Sequence, residues 1–276
     1  MIKPICTGRQ TPIALLVLMT AWCPGTVSAE EAPVRTESQQ LAAELLSRMA
    51  EYLAGLPGFK VSVVGSYDTV QESGEKIEFN EIRQVTLSRP NLLRVEQQRS
   101  DGANDLLVFD GKEISVFDSD LDVYAKAPQP GAVDEAVVYF VRDLGMRLPL
   151  AVMLSTRLPE ELSKRVKSID YVEYTEILGP PAHHVAARGN TVDFQVWIAD
   201  GERPLPLRFV LTYKTEPGLP QFRAQFLNWD EKSPAASAAF QFEPPAGAKQ
   251  ILFAVQGPPA ATDPAAATMR PTGDKP

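Results

Sequence analysis

Few residues of this chain have types and spacing suited to chemistry. Its two histidines, His183 and His184, are adjacent. Neighbours in a strand point to opposite faces, so the pair cannot chelate one metal together. Either imidazole could meet a carboxylate such as Glu176 or Asp193 across a sheet. No Cys- or His-rich spacing accompanies them, however, and a hydrogen-bonded structural role is expected. Both cysteines, Cys6 and Cys23, lie in a segment expected to be removed, which leaves no thiol for a nucleophile, a metal site or a redox pair. No G-x-S-x-G elbow, phosphate-binding loop or dinucleotide-binding glycine pattern is present. Asp and Glu are scattered over polar strand positions, where a solvated surface is the ordinary state, and no acid–base pair stands out. The chemistry points away from an enzyme, and no metal or cofactor is expected.

The ends of the chain indicate a compartment. Lys3 and Arg9 accompany a short apolar run, Ile13 to Met19, and Val27-Ser28-Ala29 makes a small-residue cleavage site before Glu30-Glu31. This is the layout of an export signal over residues 1–29. The run is too short to span a bilayer, so cleavage rather than anchoring is expected. Trp22 before Cys23 does not suit lipid attachment, and a single arginine gives no twin-arginine signal. The mature protein is expected to be soluble and periplasmic. With 27 basic and 35 acidic residues the chain has a net charge of −8, which argues against nucleic acid and against charge-driven binding to anionic headgroups.

Between the ends lies one domain, residues 30–256, followed by a Pro-, Ala- and Thr-rich tail, 257–276, expected to be disordered. A first helix is signalled by Thr36 or Ser38 as cap, then Leu41, Leu45, Met49 and Leu53, and stops at Gly55, Pro57 and Gly58. About eleven alternating runs follow in hairpin order, with Asp101-Gly102 and Asp110-Gly111 as turn signals. They are interrupted at about 131–165 by a helical stretch. From Val133 to Leu154 that stretch is greasy nearly all round, and such a helix must be covered on every side. The expected fold is mainly β (α+β): a strongly curved antiparallel sheet or unclosed barrel, with an N-terminal helix and a helical lid. Phe194 and Val196, Phe209 and Leu211, and Phe222 and Phe226 share the apolar faces of their strands. With Val137, Phe140 and Val141 of the lid, they are the candidate lining of an apolar cavity.

Four patterns in order carry a resemblance: Ser88-Arg89-Pro90-Asn91-Leu92-Leu93, Asp110-Gly111-Lys112, the helical stretch, and Phe240-Gln241-Phe242-Glu243-Pro244-Pro245-Ala246-Gly247. Together they resemble the periplasmic lipoprotein carriers LolA and LolB, whose fold is an unclosed β-barrel with a helical lid over an apolar cavity. In that family the arginine of the Arg-Pro step tethers the lid, and Arg89 occupies the matching position. From about Leu41 to Phe253 the chain also resembles a family of predicted periplasmic proteins known as a domain of unknown function. The marks are Tyr124-Ala125, Leu148-Pro149-Leu150, His183-His184, Trp197-Ile198, Pro204-Leu205-Pro206 and Trp229. The longer stretch between lid and last strand, with the His-His and Pro-Leu-Pro marks, departs from the lipoprotein carriers.

The resemblance implies a non-enzymatic binding or carrier protein holding a hydrophobic small molecule or a lipoprotein between sheet and lid. The alternative is a protein-interaction or sensory module using the same fold, with a periplasmic or membrane protein as partner. A hydrolase using His183 or His184 ranks behind both.

Overall fold

A computed structural model describes residues 35–253 except 147, 178 and 233–234. The expected export signal and tail lie outside these residues. Helix α1 (Glu37–Gly55) opens with a capping box: Thr36 Oγ1 accepts the Gln39 amide and Gln39 Oε1 accepts the Thr36 amide. Two of the orphan donors at the helix start are thereby satisfied. Its buried stripe runs through Leu45, Leu46, Met49 and Leu53, while Leu41 is 42 % exposed, so the apolar face is rotated slightly from the expected one.

Among the described residues twelve strands form one sheet. They are β1 (Gly58–Val70), β2 (Lys76–Ser88), β3 (Leu92–Arg99), β4 (Asn104–Phe109), β5 (Glu113–Asp118), β6 (Val123–Pro128), β7 (Ser168–Thr175), β8 (Ala182–Arg188), β9 (Val192–Ala199), β10 (Pro206–Tyr213), β11 (Gln221–Asp230) and β12 (Lys249–Ile251). The order across the sheet is β12-β6-β5-β4-β3-β2-β1-β11-β10-β9-β8-β7, so it does not close on itself. Each half is a meander of hairpins, and β1 joins the halves by pairing with β11. All pairs are antiparallel except β12 with β6. That parallel strand corrects the expected count of about eleven. Its three residues are all exposed and carry no alternation to be read.

Alternation sets the two faces of the sheet. Phe59, Val61 and Val63 on β1, Val196 and Ile198 on β9, and Phe222, Ala224 and Phe226 on β11 are buried on the inner face. Helix α1 packs there against β7, β8 and β9. Full burial of one such side chain contributes about 1.5–3 kcal/mol, which pins the register, because a one-residue slip would turn the whole set outward.

The helical interruption is a series of short turns rather than one helix: α2 (Val133–Val138), a π-turn (Tyr139–Asp143), a 3₁₀ turn (Ala151–Leu154) and α3 (Leu158–Arg165). Val133, Ala136, Val137, Phe140 and Leu144 are buried, but Val138 and Val141 stay 41 % and 43 % exposed. The expectation that this stretch is covered on every side is therefore corrected. Its apolar character on that side has another cause, seen next.

Candidate functional site

Between these turns and the β9–β10 part of the inner face lies a cavity of about 740 Å³. This is within the range of roughly 300–1,000 Å³ usual for small-molecule sites. Phe194, Phe209 and Leu211 line it from the sheet, Met49 from α1, and Val137, Val138, Val141 and residues 148–153 from the turns. Leu158 and Leu162 of α3 complete the wall. Val138 and Val141 are apolar because they face this hollow, not because they are packed.

Of the residues singled out from sequence, Val137, Val141, Phe194, Phe209 and Leu211 stand on the cavity wall. Phe140, Val196, Phe222 and Phe226 are packed into the core beside it. One rung of the sheet explains the division: Phe194 pairs with Leu211, Leu211 with Phe222, and Phe222 with Tyr67. The first two lie under the turns, whereas Phe222 is under the guanidinium of Arg83, 5.5 Å from its ring centroid. Phe226 is stacked on Trp229 at 5.7 Å. Met49, Leu158 and Leu162 were not singled out. Their signal was the i, i+4 spacing of apolar residues on α1 and α3.

The cover is clasped to the sheet at one corner. Arg89, at the end of β2, donates Nε–H to Leu56 O (3.0 Å), an Nη1 hydrogen to Leu154 O (2.7 Å) and an Nη2 hydrogen to Leu53 O (3.5 Å). Its side chain is 10 % exposed, and Asp134 Oδ1 stands 4.0 Å away. Helix α1 has no basic residue in its last turn, so Arg89 supplies from another strand the cation that the C-terminal carbonyls favour. Asp134, in the first turn of α2, accepts from the backbone N–H of Thr156 (2.9 Å) and from its hydroxyl. Burial works against the Asp134 charge. The Thr156 hydrogen bonds, one from Ser155 and the nearby Arg89 nevertheless hold its carboxyl below the usual carboxylate range.

The other sequence marks meet at the same corner. Val133 N–H donates to Pro90 O (2.8 Å) and Gly131 N–H to Gly111 O (3.2 Å). Gly111 has φ +87°, and a Cβ there would lie 2.4 Å from Asn91 Nδ2. Only glycine fits both conditions without strain. The Arg-Pro-Asn and Asp-Gly-Lys marks thus position the first turn of the cover.

Two polar clusters stand apart from the cavity. On the inner face Arg83 Nη2 pairs with Glu81 Oε1 at 2.7 Å, with side chains 8 % and 3 % exposed. Gln97 donates to Glu81 Oε2 (2.8 Å), while Arg83 Nε has no acceptor among the described residues. Gly65 makes room for the pair: a Cβ there would sit 3.1 Å from Glu81 Cγ. The second cluster contains the histidines, which diverge as strand geometry requires. His183 Nε2 meets Asp200 Oδ1 (3.2 Å), and its Nδ1 meets the Tyr171 hydroxyl (3.3 Å). His184 stacks on Trp197 at 3.9 Å and meets Gln195 Oε1 at 3.1 Å. Burial pushes the His184 pKa down, so its ring stays neutral at neutral pH. Among the described residues no group of His, Cys, Asp and Glu is placed to hold a metal.

Residues 42–254 match the family described as "Predicted periplasmic protein (DUF2092)". No curated protein matches the chain. Among solved structures, an uncharacterized conserved protein from Thermus thermophilus is similar at 15 % identity and a TM-score of 0.47, covering 77 % of this chain and 99 % of its own. LprF from Mycobacterium bovis is similar at 13 % identity and a TM-score of 0.44, covering 71 % of this chain and 98 % of its own. A LolA superfamily protein from Nitrosomonas europaea is similar at 12 % identity and a TM-score of 0.37, over 73 % of this chain and 97 % of its own.

Proposed function

Because the chain belongs to the DUF2092 family of predicted periplasmic proteins, we propose that it is a non-enzymatic periplasmic carrier holding a hydrophobic ligand between sheet and helical cover. The observation that supports this reading is the apolar hollow of about 740 Å³ beneath short turns. The ligand is a lipid or acyl chain. Its binding is driven by burial of apolar area at about 25 cal/mol per Å². The covering turns are the moving part, and the wall of strands stays rigid. Arg89 is the tether from which the cover lifts, and Val137, Val141, Phe194, Phe209 and Leu211 touch the ligand.

Native mass spectrometry of protein purified gently from its own periplasm tests this. A bound species of lipid mass, exchangeable for an added acyl probe, is expected. A chain that always flies bare and takes up no acyl probe would refute the carrier reading.

A second reading, a module for binding a protein partner, is favoured by one observation. Among the described residues the edge strand β7 pairs with β8 alone, and it carries Val172 and Tyr174, 48 % and 47 % exposed. Such an edge can accept a strand from a partner. Capture of one stoichiometric periplasmic protein by a chain whose cavity is empty would favour this reading over the first.

A further inference from the structure

The chain as a whole is acidic, with a net charge of −8, yet cations outnumber carboxylates among the described residues that line its cavity. Among the described lining residues, four cations, Arg142, Arg157, Lys164 and Arg165, stand against two carboxylates, Asp134 and Glu161. They come from three separate places: the π-turn, the residue before α3, and the last turn of α3. One helix end alone would not gather them. Their side chains are 53–73 % exposed, whereas the apolar wall lies further in, with Met49 and Leu158 buried at 0 % and 1 %. The cations are the exposed polar part of the lining, and Met49 and Leu158 are its buried apolar part.

Three of the four cations are partly satisfied. Arg142 pairs with Asp143 (2.9 Å), Lys164 with Glu160 (2.7 Å), and Arg165 with Glu161 (2.7 Å). Arg157 is held more loosely, by ion pairs to Asp134 and Glu135 at 3.8 Å and 3.9 Å, and its guanidinium makes no hydrogen bond among the described residues. Asp134 is moreover already engaged by Thr156. A planar fork of donors beside an apolar hollow, ion-paired but with no hydrogen bond of its own among the described residues, suits a carboxylate or phosphate oxygen at the end of an acyl chain.

We infer that the ligand is an anionic amphiphile, with its acyl chain in the cavity and its acidic head at Arg157 and Arg165. The inference rests on the carrier reading and adds the chemistry of the head. A fatty-acid carboxylate and a phospholipid phosphate share that chemistry.

Displacement of Nile red, an uncharged fluorophore, from the full mature protein separates the possibilities. The competitors are cis-9-octadecenoate, the alcohol of the same chain, phosphatidylglycerol and phosphatidylcholine, each at low and at high salt. The carboxylate is expected to compete about five- to tenfold better than its alcohol at low salt, as a few partly exposed charge contacts would give, with the margin shrinking as salt rises. A double R157Q/R165Q variant of unchanged thermal stability is expected to lose that margin while still binding the alcohol. Better competition by octadecenoate than by phosphatidylglycerol assigns a free fatty acid, and the reverse assigns a phospholipid. Equal competition by carboxylate and alcohol, or a margin untouched in the variant, overturns the anionic head and leaves the carrier reading intact. No uptake of Nile red or of any competitor overturns both.

Discussion

Replacing Arg89 by methionine should loosen the cover more than any other single change at the clasp. Methionine keeps much of the aliphatic volume and removes the fork. Three carbonyls lose a donor: Leu53 O and Leu56 O at the end of α1, and Leu154 O in the 3₁₀ turn. The contact to Leu53 is long at 3.5 Å, so two strong bonds are the ones that count. A hydrogen bond to a charged group contributes about 1.5–3 kcal/mol, and a buried acceptor left bare costs about 1–3 kcal/mol. Removing one member of a buried charged network typically costs about 3–5 kcal/mol, and that is the loss expected here. For a domain of this size, it lowers Tm by roughly 6–20 °C. Circular dichroism gives the melting point, and hydrogen exchange shows where protection is lost. The last turn of α1 and the stretch 133–156 should open first, with the strands protected as before. Arg89→Lys should fall between the two, because a single ammonium cannot reach both sets of carbonyls in fork geometry. A loss below about 1 kcal/mol with undisturbed exchange at 133–156 would refute the clasp.

Other outcomes follow from the same geometry. Glu81→Met alone should destabilise by about 3–5 kcal/mol because it strands Arg83, whereas the double change Glu81→Met with Arg83→Met should cost much less; chemical denaturation of the full cycle measures the difference. Gly111→Ala should cost about 1–3 kcal/mol, from the positive φ and the close Asn91 amide, and should be read by thermal melting. Asp134 has its folded pKa lowered by the Thr156 bonds despite burial, so its contribution is full above the unfolded value of about 3.9 and is lost as pH falls through the lower folded value. The Asp134→Asn protein should thus be less stable than the parent at neutral pH and should close that gap in acid. A gap that stays constant with pH would remove the role given to the carboxylate.

Much of this architecture could be read from residue order, and the parts that could not have physical reasons. Alternation located the strands because each buries one face: Val61 and Val63, or Phe222 and Phe226, announce themselves by period. Strand β12 has no buried residue, and its pairing with β6 runs through the backbone, to which a side-chain pattern is blind. In the helical stretch, Gly145, Pro149 and Pro159 are legible as breaks. The meaning of the apolar surface is not, since valines facing a hollow and valines packed against a partner look alike in one dimension. For the same reason Phe194 and Phe222, two strands apart on one rung of the sheet, could not be sorted into wall and core. Arg89 was legible only through its Arg-Pro setting. Its three acceptors come from helix ends distant in the chain, and the burial of the Glu81–Arg83 pair, two residues apart on β2, emerges only from the registers across β1, β2 and β3.

The pieces of the cover are six, five, four and eight residues long. In water a solitary helix needs about 12–15 residues before propagation outweighs the entropy of its first turn. None of these pieces would persist alone: even α2 and the π-turn, which run on without a break from Val133 to Asp143, make only eleven residues. Their order is on loan from the groove below and from a few fastenings at Arg89, Pro90 and Asp134. The cover can therefore fray one turn at a time while the sheet beneath stays paired.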